Sequence, residues 1–170
     1  VMGVSLAYHL CVRGWRDVVL LEARELTAGS TWHAAGLCTF YSHSPTIMDM
    51  RAASVRLYRD TLPAETGLDT GFHQCGALRV TRAPDRMDEF RHVADIGEFV
   101  GYPFHTITPS ELADIYPLTS LDGLIGALYE PNDGHVDPTL VTQAMAASAR
   151  AAGARFIRNS PVSDIERTPA

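Results

Sequence analysis

The sequence predicts an α/β fold, in which a parallel, nucleotide-type layer is interrupted by part of a mixed or antiparallel second domain. Three observations predict it. A helical pattern at the start runs through a short turn into the apolar run Val18-Val19-Leu20-Leu21, which stops at the acid Glu22. Residues 76–81 alternate like a half-buried strand, and helical spacing resumes at Pro84. Asp137-Pro138 then opens a helix that returns to strand-forming residues at Phe156 and Ile157. The division expected from this order is 1–67 for the nucleotide-binding part, 68–136 for the second domain and 137–170 for the return.

Each element has a local reason. Residues 3–13 read as a helix, with Val4, Ala7, Leu10 and Cys11 on one face and Gly14 suited to a left-handed cap. The run 18–21 is apolar and β-prone throughout, the pattern of a parallel strand buried on both faces. Helix, turn, strand and terminal acid make the second half of a β-α-β unit. Ser44 suits an N-cap and Pro45 the first position of a helix whose inner face carries Ile47, Met50, Leu57, Tyr58 and Leu62 before Gly67. In 76–81, Leu78 and Val80 point opposite Ala77, Arg79 and Thr81. Met87, Phe90, Val93, Ala94 and Val100 space the next helix up to Gly101.

Thr108-Pro109-Ser110-Glu111 has the form of a capping box. Leu140, Val141, Ala144, Met145 and Ser148 align on the last helix, which Gly153 closes, and 156–157 and 162–165 read as strands. The sequence opens inside a helical pattern and closes inside a strand pattern. The expectation is a segment of a longer protein, with the first strand of the nucleotide layer missing.

Composition narrows the classes. A chain of 170 residues, 46% apolar and 20% charged, is ordinary for a globular domain or part of one. A formal charge of −6 gives no electrostatic footprint for nucleic acid or an anionic membrane. No apolar run approaches the ~20 residues of a membrane span, and no leader pattern precedes the first helix. Cys11, Cys38 and Cys75 are odd in number and widely spaced, which argues for small buried or incidental residues over a disulfide framework or zinc site. His9, His43, His73, His92, His105 and His135 show no H-x-x-x-H arrangement, so no metal site is expected.

Two features can carry chemistry. Gly3 stands where the last glycine of a G-x-G-x-x-G turn would open a helix, and Glu22 ends the strand nineteen residues on. A carboxylate there accepts from ribose hydroxyls and disfavours a 2′-phosphate. The other reading is an ordinary helix glycine and strand-end acid. The second feature is Ala28-Gly29-Ser30-Thr31-Trp32-His33-Ala34-Ala35-Gly36. Its small residues let backbone approach a flat ligand, its hydroxyls can reach a pyrophosphate, and the neutral imidazole of His33 is a nucleophile. A structurally bonded or capping histidine is the alternative. Trp32, Tyr41 and Phe72 can wall a pocket or simply fill core.

Segments 3–10, 18–22, 26–37, Gly71-Phe72-His73-Gln74 with Gly76, and Asp133-Gly134-His135-Val136-Asp137-Pro138 are collinear. Together they resemble the N-terminal flavin-binding portion of the dimethylglycine dehydrogenase and sarcosine dehydrogenase family, within the D-amino-acid-oxidase-like flavoproteins. The resemblance implies a Rossmann-like FAD-binding domain interrupted by part of a substrate domain. It implies FAD bound covalently, the flavin 8α-methyl linked to His33, with Gly3, Glu22 and the backbone of Val162 around the cofactor; the small residues Gly29, Ala35 and Gly36 and the hydroxyl of Ser30 are the further cofactor-binding candidates that the run itself offers. It assigns no catalytic acid or base.

The implied activity is oxidative demethylation of an N-methyl amine such as dimethylglycine or sarcosine, by hydride transfer to the flavin. An electron-transfer flavoprotein or oxygen would take the electrons, and a tetrahydrofolate site would belong to a C-terminal part outside these residues. No nucleic-acid or membrane partner is implied. The setting would be intracellular, cytoplasmic in a bacterium and the mitochondrial matrix in a eukaryote. A second branch, similar to the regulatory subunit of pyruvate dehydrogenase phosphatase, implies instead a non-catalytic regulator.

Overall fold

A computed structural model describes residues 1–167. They form two compact units, one built from 1–36, 57–72 and the chain from 136 onward, the other from 37–56 and 73–135. These segments cut the chain differently from the three-part division read from the sequence: 37–56 joins the second unit and 57–72 the first.

The first unit starts with α1 (Met2–Val12), whose Val4, Ala7, Tyr8 and Cys11 are buried. Strand β1 (Val19–Leu21) pairs in parallel with β7 (Arg155–Ile157), Leu20 opposite Phe156. Helix α6 (Pro138–Ala151) leads into β7 and packs on α1. Small side chains permit the close approach: Ala7 on α1 and Ala144, Ala146 and Ala149 on α6 are buried. Asp137 caps α6, its Oδ1 accepting from the N–H groups of Thr139 and Leu140 at 2.7 and 3.0 Å.

The short α3 (Leu62–Thr66) also packs on α6. Its Glu65 accepts from the Tyr8 hydroxyl at 3.2 Å and the Ser148 hydroxyl at 2.8 Å. Burial, reinforced by Glu65, pushes the Tyr8 phenol up to about 12.

The second unit holds a short antiparallel pair, β2 (Leu37–Cys38) with β6 (Gly134–His135). Its main sheet is antiparallel in the order β3 (Ala77–Thr81), β5 (Gly126–Glu130), β4 (His105–Ile107). Helix α4 (Pro84–Val100) covers it with Met87, Phe90 and Val93, and α2 (Pro45–Arg56) packs on α4. Gly97 is required by packing, since a Cβ would meet the backbone Tyr102 O at 2.5 Å, and Gly126 sits tightly against Met87 and Ile107 O. The Thr108 capping box opens α5 (Pro109–Ile115) with both reciprocal bonds formed.

Five local expectations need correction. The single helix expected from Pro45 stops at Arg56, passes through a π-helical turn (Leu57–Thr61) and resumes as α3. On α2 the buried stripe is Met48, Ala52 and Val55, whereas Met50 is exposed; the wider turn then resets the phase so that Leu62 is buried. On β3 the faces are reversed, with Thr81 buried and Val80 exposed. Arg79 turns toward the buried Glu130, which dictates the alternation. Val19 and Leu21 are exposed, so β1 is not covered on both faces within these residues. Finally, 162–165 forms no strand, and the chain beyond β7 is irregular through residue 167. Among the described residues no helix is long and apolar enough to cross a membrane.

Replacing Asp137 by alanine removes both cap hydrogen bonds and is expected to destabilise the fold by about 1 kcal/mol, with asparagine largely rescuing it. Thermal melts of the two variants measure this, and equal melting points for alanine and wild type would refute it.

Candidate functional site

The strongest concentration of predicted site residues lies at the C-terminal end of β1, inside the first unit. Pairing with β7 continues one residue past the strand, the Glu22 N–H donating to Ile157 O at 2.9 Å, and Glu22 O accepts from the Ser160 N–H at 2.9 Å. The carboxylate is half-buried and accepts from the Arg24 N–H at 2.9 Å through Oε1. Above it opens a cavity of about 220 Å³ that brings together Gly3 from the first turn of α1, Glu22, Gly29 and Thr31. Whole small-molecule sites run to roughly 300–1,000 Å³. This one is smaller than a whole site of that kind.

The glycines bear on whether a ligand fits. A Cβ on Gly29 would meet nothing within 4 Å, and one on Gly3 would meet only Leu20 Cδ1 at 3.6 Å, an ordinary contact. Neither carries a left-handed φ, so neither backbone conformation nor packing demands glycine at these positions. The space they leave opens on the cavity, and an FAD ribose and pyrophosphate would fit against it. First-turn amides of a helix, beside that space, are suitable donors to phosphate oxygens.

Loop 26–36 carries the histidine. It enters through Thr27, whose φ of 72° is unusual for a β-branched residue and marks a constrained turn at the cavity wall. A 3₁₀ turn (Thr31–His33) follows, closed by the His33 N–H donating to Ser30 O at 3.2 Å. His33 is exposed, its ring 3.8 Å from that of Trp32 at 32°. The imidazole nitrogens make no hydrogen bond among the described residues, unlike a capping or structurally bonded histidine.

The other expected positions are placed differently. Ser30 and Ala35 are exposed on the same loop but do not line the cavity. Gly36 has φ 71°, and a Cβ there would lie 2.1 Å from Val136 O. Its backbone also accepts from the Val136 N–H at 2.9 Å, so chain crossing accounts for this glycine. Val162 is exposed in the irregular segment after β7 and is not brought to the cavity.

Sequence reasoning missed Thr27 and Thr142, which also form the wall. Thr27 belongs to a residue type that disfavours positive φ. Thr142 looks like any core position of α6, its hydroxyl bonded to Pro138 O at 2.7 Å.

A parallel strand pair flanked by α1 and α6, with an acid ending the strand, defines a dinucleotide-fold α/β protein. The family model for FAD dependent oxidoreductases matches residues 1–170, and the chain belongs to that family. It is 42% identical over 168 residues, 99% of its length, to the mitochondrial dimethylglycine dehydrogenase of Rattus norvegicus, of which it covers 20%. It is 40% identical over 166 residues, 96% of its length, to the mitochondrial sarcosine dehydrogenase of Homo sapiens, covering 18% of that protein. The chain thus spans about a fifth of the length of these relatives. Among solved structures it is similar to L-proline dehydrogenase from P. horikoshii, with TM-score 0.83, 28% identity and coverage of 92% of this chain and 41% of that one. The family resemblance and the α/β fold class expected from the sequence are both borne out.

Replacing Gly36 by alanine would force Val136 O out of a 2.1 Å contact and strain the left-handed backbone. The expected cost is about 1–3 kcal/mol. Urea unfolding measures it, and an unchanged midpoint would show that the crossing tolerates a side chain.

Proposed function

We propose that this chain is the dinucleotide-binding portion of an FAD-dependent enzyme that oxidatively demethylates an N-methyl amine of the dimethylglycine or sarcosine type, with the flavin anchored covalently on His33. The observation that carries the reading is the cavity that gathers Gly3, Glu22 and Gly29 at the end of β1. When bound, FAD would supply the two-electron acceptor for the N-methyl carbon.

The chain's own residues hold and orient that cofactor. Glu22, fixed at the strand end by Ile157 and Arg24, accepts from ribose hydroxyls. Gly3 and Gly29 leave room for backbone to approach the pyrophosphate, and Ser30 adds a hydroxyl on the same loop. His33, exposed and with no hydrogen bond through its ring among the described residues, offers a ring nitrogen for the 8α link. Ala35 and Gly36 continue the small-residue run beside it, and Val162 is the proposed backbone contact to adenine. The unit built from 1–36, 57–72 and 136 onward would be the FAD-binding part, and the other unit part of the substrate domain. Electrons would leave to an electron-transfer flavoprotein or oxygen. Tetrahydrofolate would be served by a further part of the protein, working in the cytoplasm of a bacterium or the mitochondrial matrix of a eukaryote.

The test is to denature the full-length protein and view the gel under ultraviolet light beside His33→Ala. A fluorescent band in the wild type alone is expected, and a colourless wild-type band whose FAD washes out on precipitation overturns the covalent anchor. Turnover of dimethylglycine or sarcosine with an artificial electron acceptor is expected as well. Flavin-loaded protein that turns over neither amine would point to the regulatory-subunit reading instead.

A further inference from the structure

The second unit buries two carboxyl groups. Glu130 is 0% exposed and Asp133 1%. Each has one oxygen satisfied: Arg79 Nε donates to Glu130 Oε1 at 2.7 Å, and the Phe40 backbone N–H donates to Asp133 Oδ1 at 2.8 Å. Glu130 Oε2 and Asp133 Oδ2 are buried and find no donor among the described residues. A buried carboxylate oxygen without a donor is costly, and one arginine cannot compensate two buried negative charges. Arg79 is, moreover, shared with the ring of Tyr41, 4.0 Å from its guanidinium carbon. A single proton between the two orphan oxygens resolves both deficits.

We propose that Glu130 and Asp133 share one proton between Oε2 and Oδ2, and that this proton acts as a pH-operated lock on strand β2 and Phe40. The lock stands on the second unit alone and does not depend on the flavin reading. Asp133 sits at the hub. Its carboxyl holds the Phe40 amide, and its backbone carbonyl accepts from the Gly76 N–H at 2.9 Å. The next residues, Gly134 and His135, pair with Cys38 and Leu37. Strand β2 has only two residues, so its register depends on this side-chain tie. Ionising both acids sets two buried negative charges against each other at that tie.

The surrounding groups reinforce the direction. Burial first, then the Glu130 bond and charge, push the Asp133 carboxyl up to about 8, against the opposing Phe40 amide and Arg79. From β2, the Cys38 thiol is pushed up to about 11 by burial and then by Asp133, so it stays neutral through the same range. On the far side of Arg79, the Tyr41 hydroxyl donates to Glu89 of α4 at 2.7 Å, where Arg86 and His43 also bind. His73 and His135 bracket the turn through reciprocal backbone bonds of 2.8 and 3.0 Å. Because the folded pKa lies above the ordinary carboxylate value, the stabilisation is complete below that value. It is lost as pH rises through about 8.

Asp133→Asn tests the lock, since its amide donates to Glu130 at every pH while its Oδ1 still accepts from Phe40. In the wild type the hydrogen-exchange protection factor of the Phe40 amide is expected to fall about tenfold per pH unit up to about pH 8, then level. In D133N, and in a second variant E130Q, it should stay flat. Infrared spectra of the wild type should show one protonated carboxyl band that persists at neutral pH and disappears as pH rises through about 8. Parallel pH profiles in wild type and variants, or no protonated carboxyl band at neutral pH, overturn the proposal; the infrared measurement decides even if neither variant folds.

Discussion

The first unit depends on one long-range pairing, the parallel register of Val19–Leu21 with Arg155–Ile157. Nearly the whole chain lies between these strands, so their alignment cannot arise from a local turn and must be supplied by the helices packed beside them. Helices α1 and α6 pack on each other with small residues buried on both, Ala7 on α1 and Ala144, Ala146 and Ala149 on α6, and Cys11 Sγ lies 3.9 Å from Ala149 O. Parallel strands need such crossover cover. The same pairing fixes the cavity wall, because Ile157 and Ser160 tie down the Glu22 backbone. Enlarging the alanines would separate the helices and move the acid with them.

Glycine performs two distinct jobs in this chain. At Gly36 and Gly134 the space a side chain would occupy is already filled by backbone, Val136 O at 2.1 Å and His73 O at 2.2 Å. Those glycines are explained by chains crossing. At Gly29, and nearly so at Gly3, the space is open. Neither conformation nor packing requires glycine at these two positions, and both line the cavity that also holds the strand-end acid. The small-residue run 28–36 is therefore heterogeneous, its first glycine facing the cavity and its last serving the fold.

Much of this architecture was legible because it is encoded locally. The Thr108 capping box, the Asp137 cap, the left-handed Gly67, Gly101 and Gly153 and the strand-end position of Glu22 all follow from short-range chemistry. Gly3, Glu22 and Gly29 were named from sequence and do meet in one cavity. What stayed hidden is non-local. The face of β3 is set by a partner fifty-one positions away, Arg79 reaching Glu130. A π-helical turn, which carries no sequence signature of its own, rotated the stripe of the second helix. Thr142 reaches the cavity wall only because α6 packs on α1.

The buried acids of the second unit illustrate the same limit from the opposite side. Asp133 in Asp133-Gly134-His135-Val136-Asp137-Pro138 reads from sequence as part of a turn feeding a helix cap, and the strand that ends at Glu130 was not anticipated. Burial turns both into structural centres. An apolar pair of the same size would avoid the desolvation cost, but it would offer nothing to the Phe40 amide and nothing to Arg79. Where a ladder is only two residues long, backbone pairing alone specifies register weakly, and directional bonds from a buried carboxyl supply what the strand lacks. The stability lost to burying charge is thus exchanged for a defined path of the chain from β2 to Phe40.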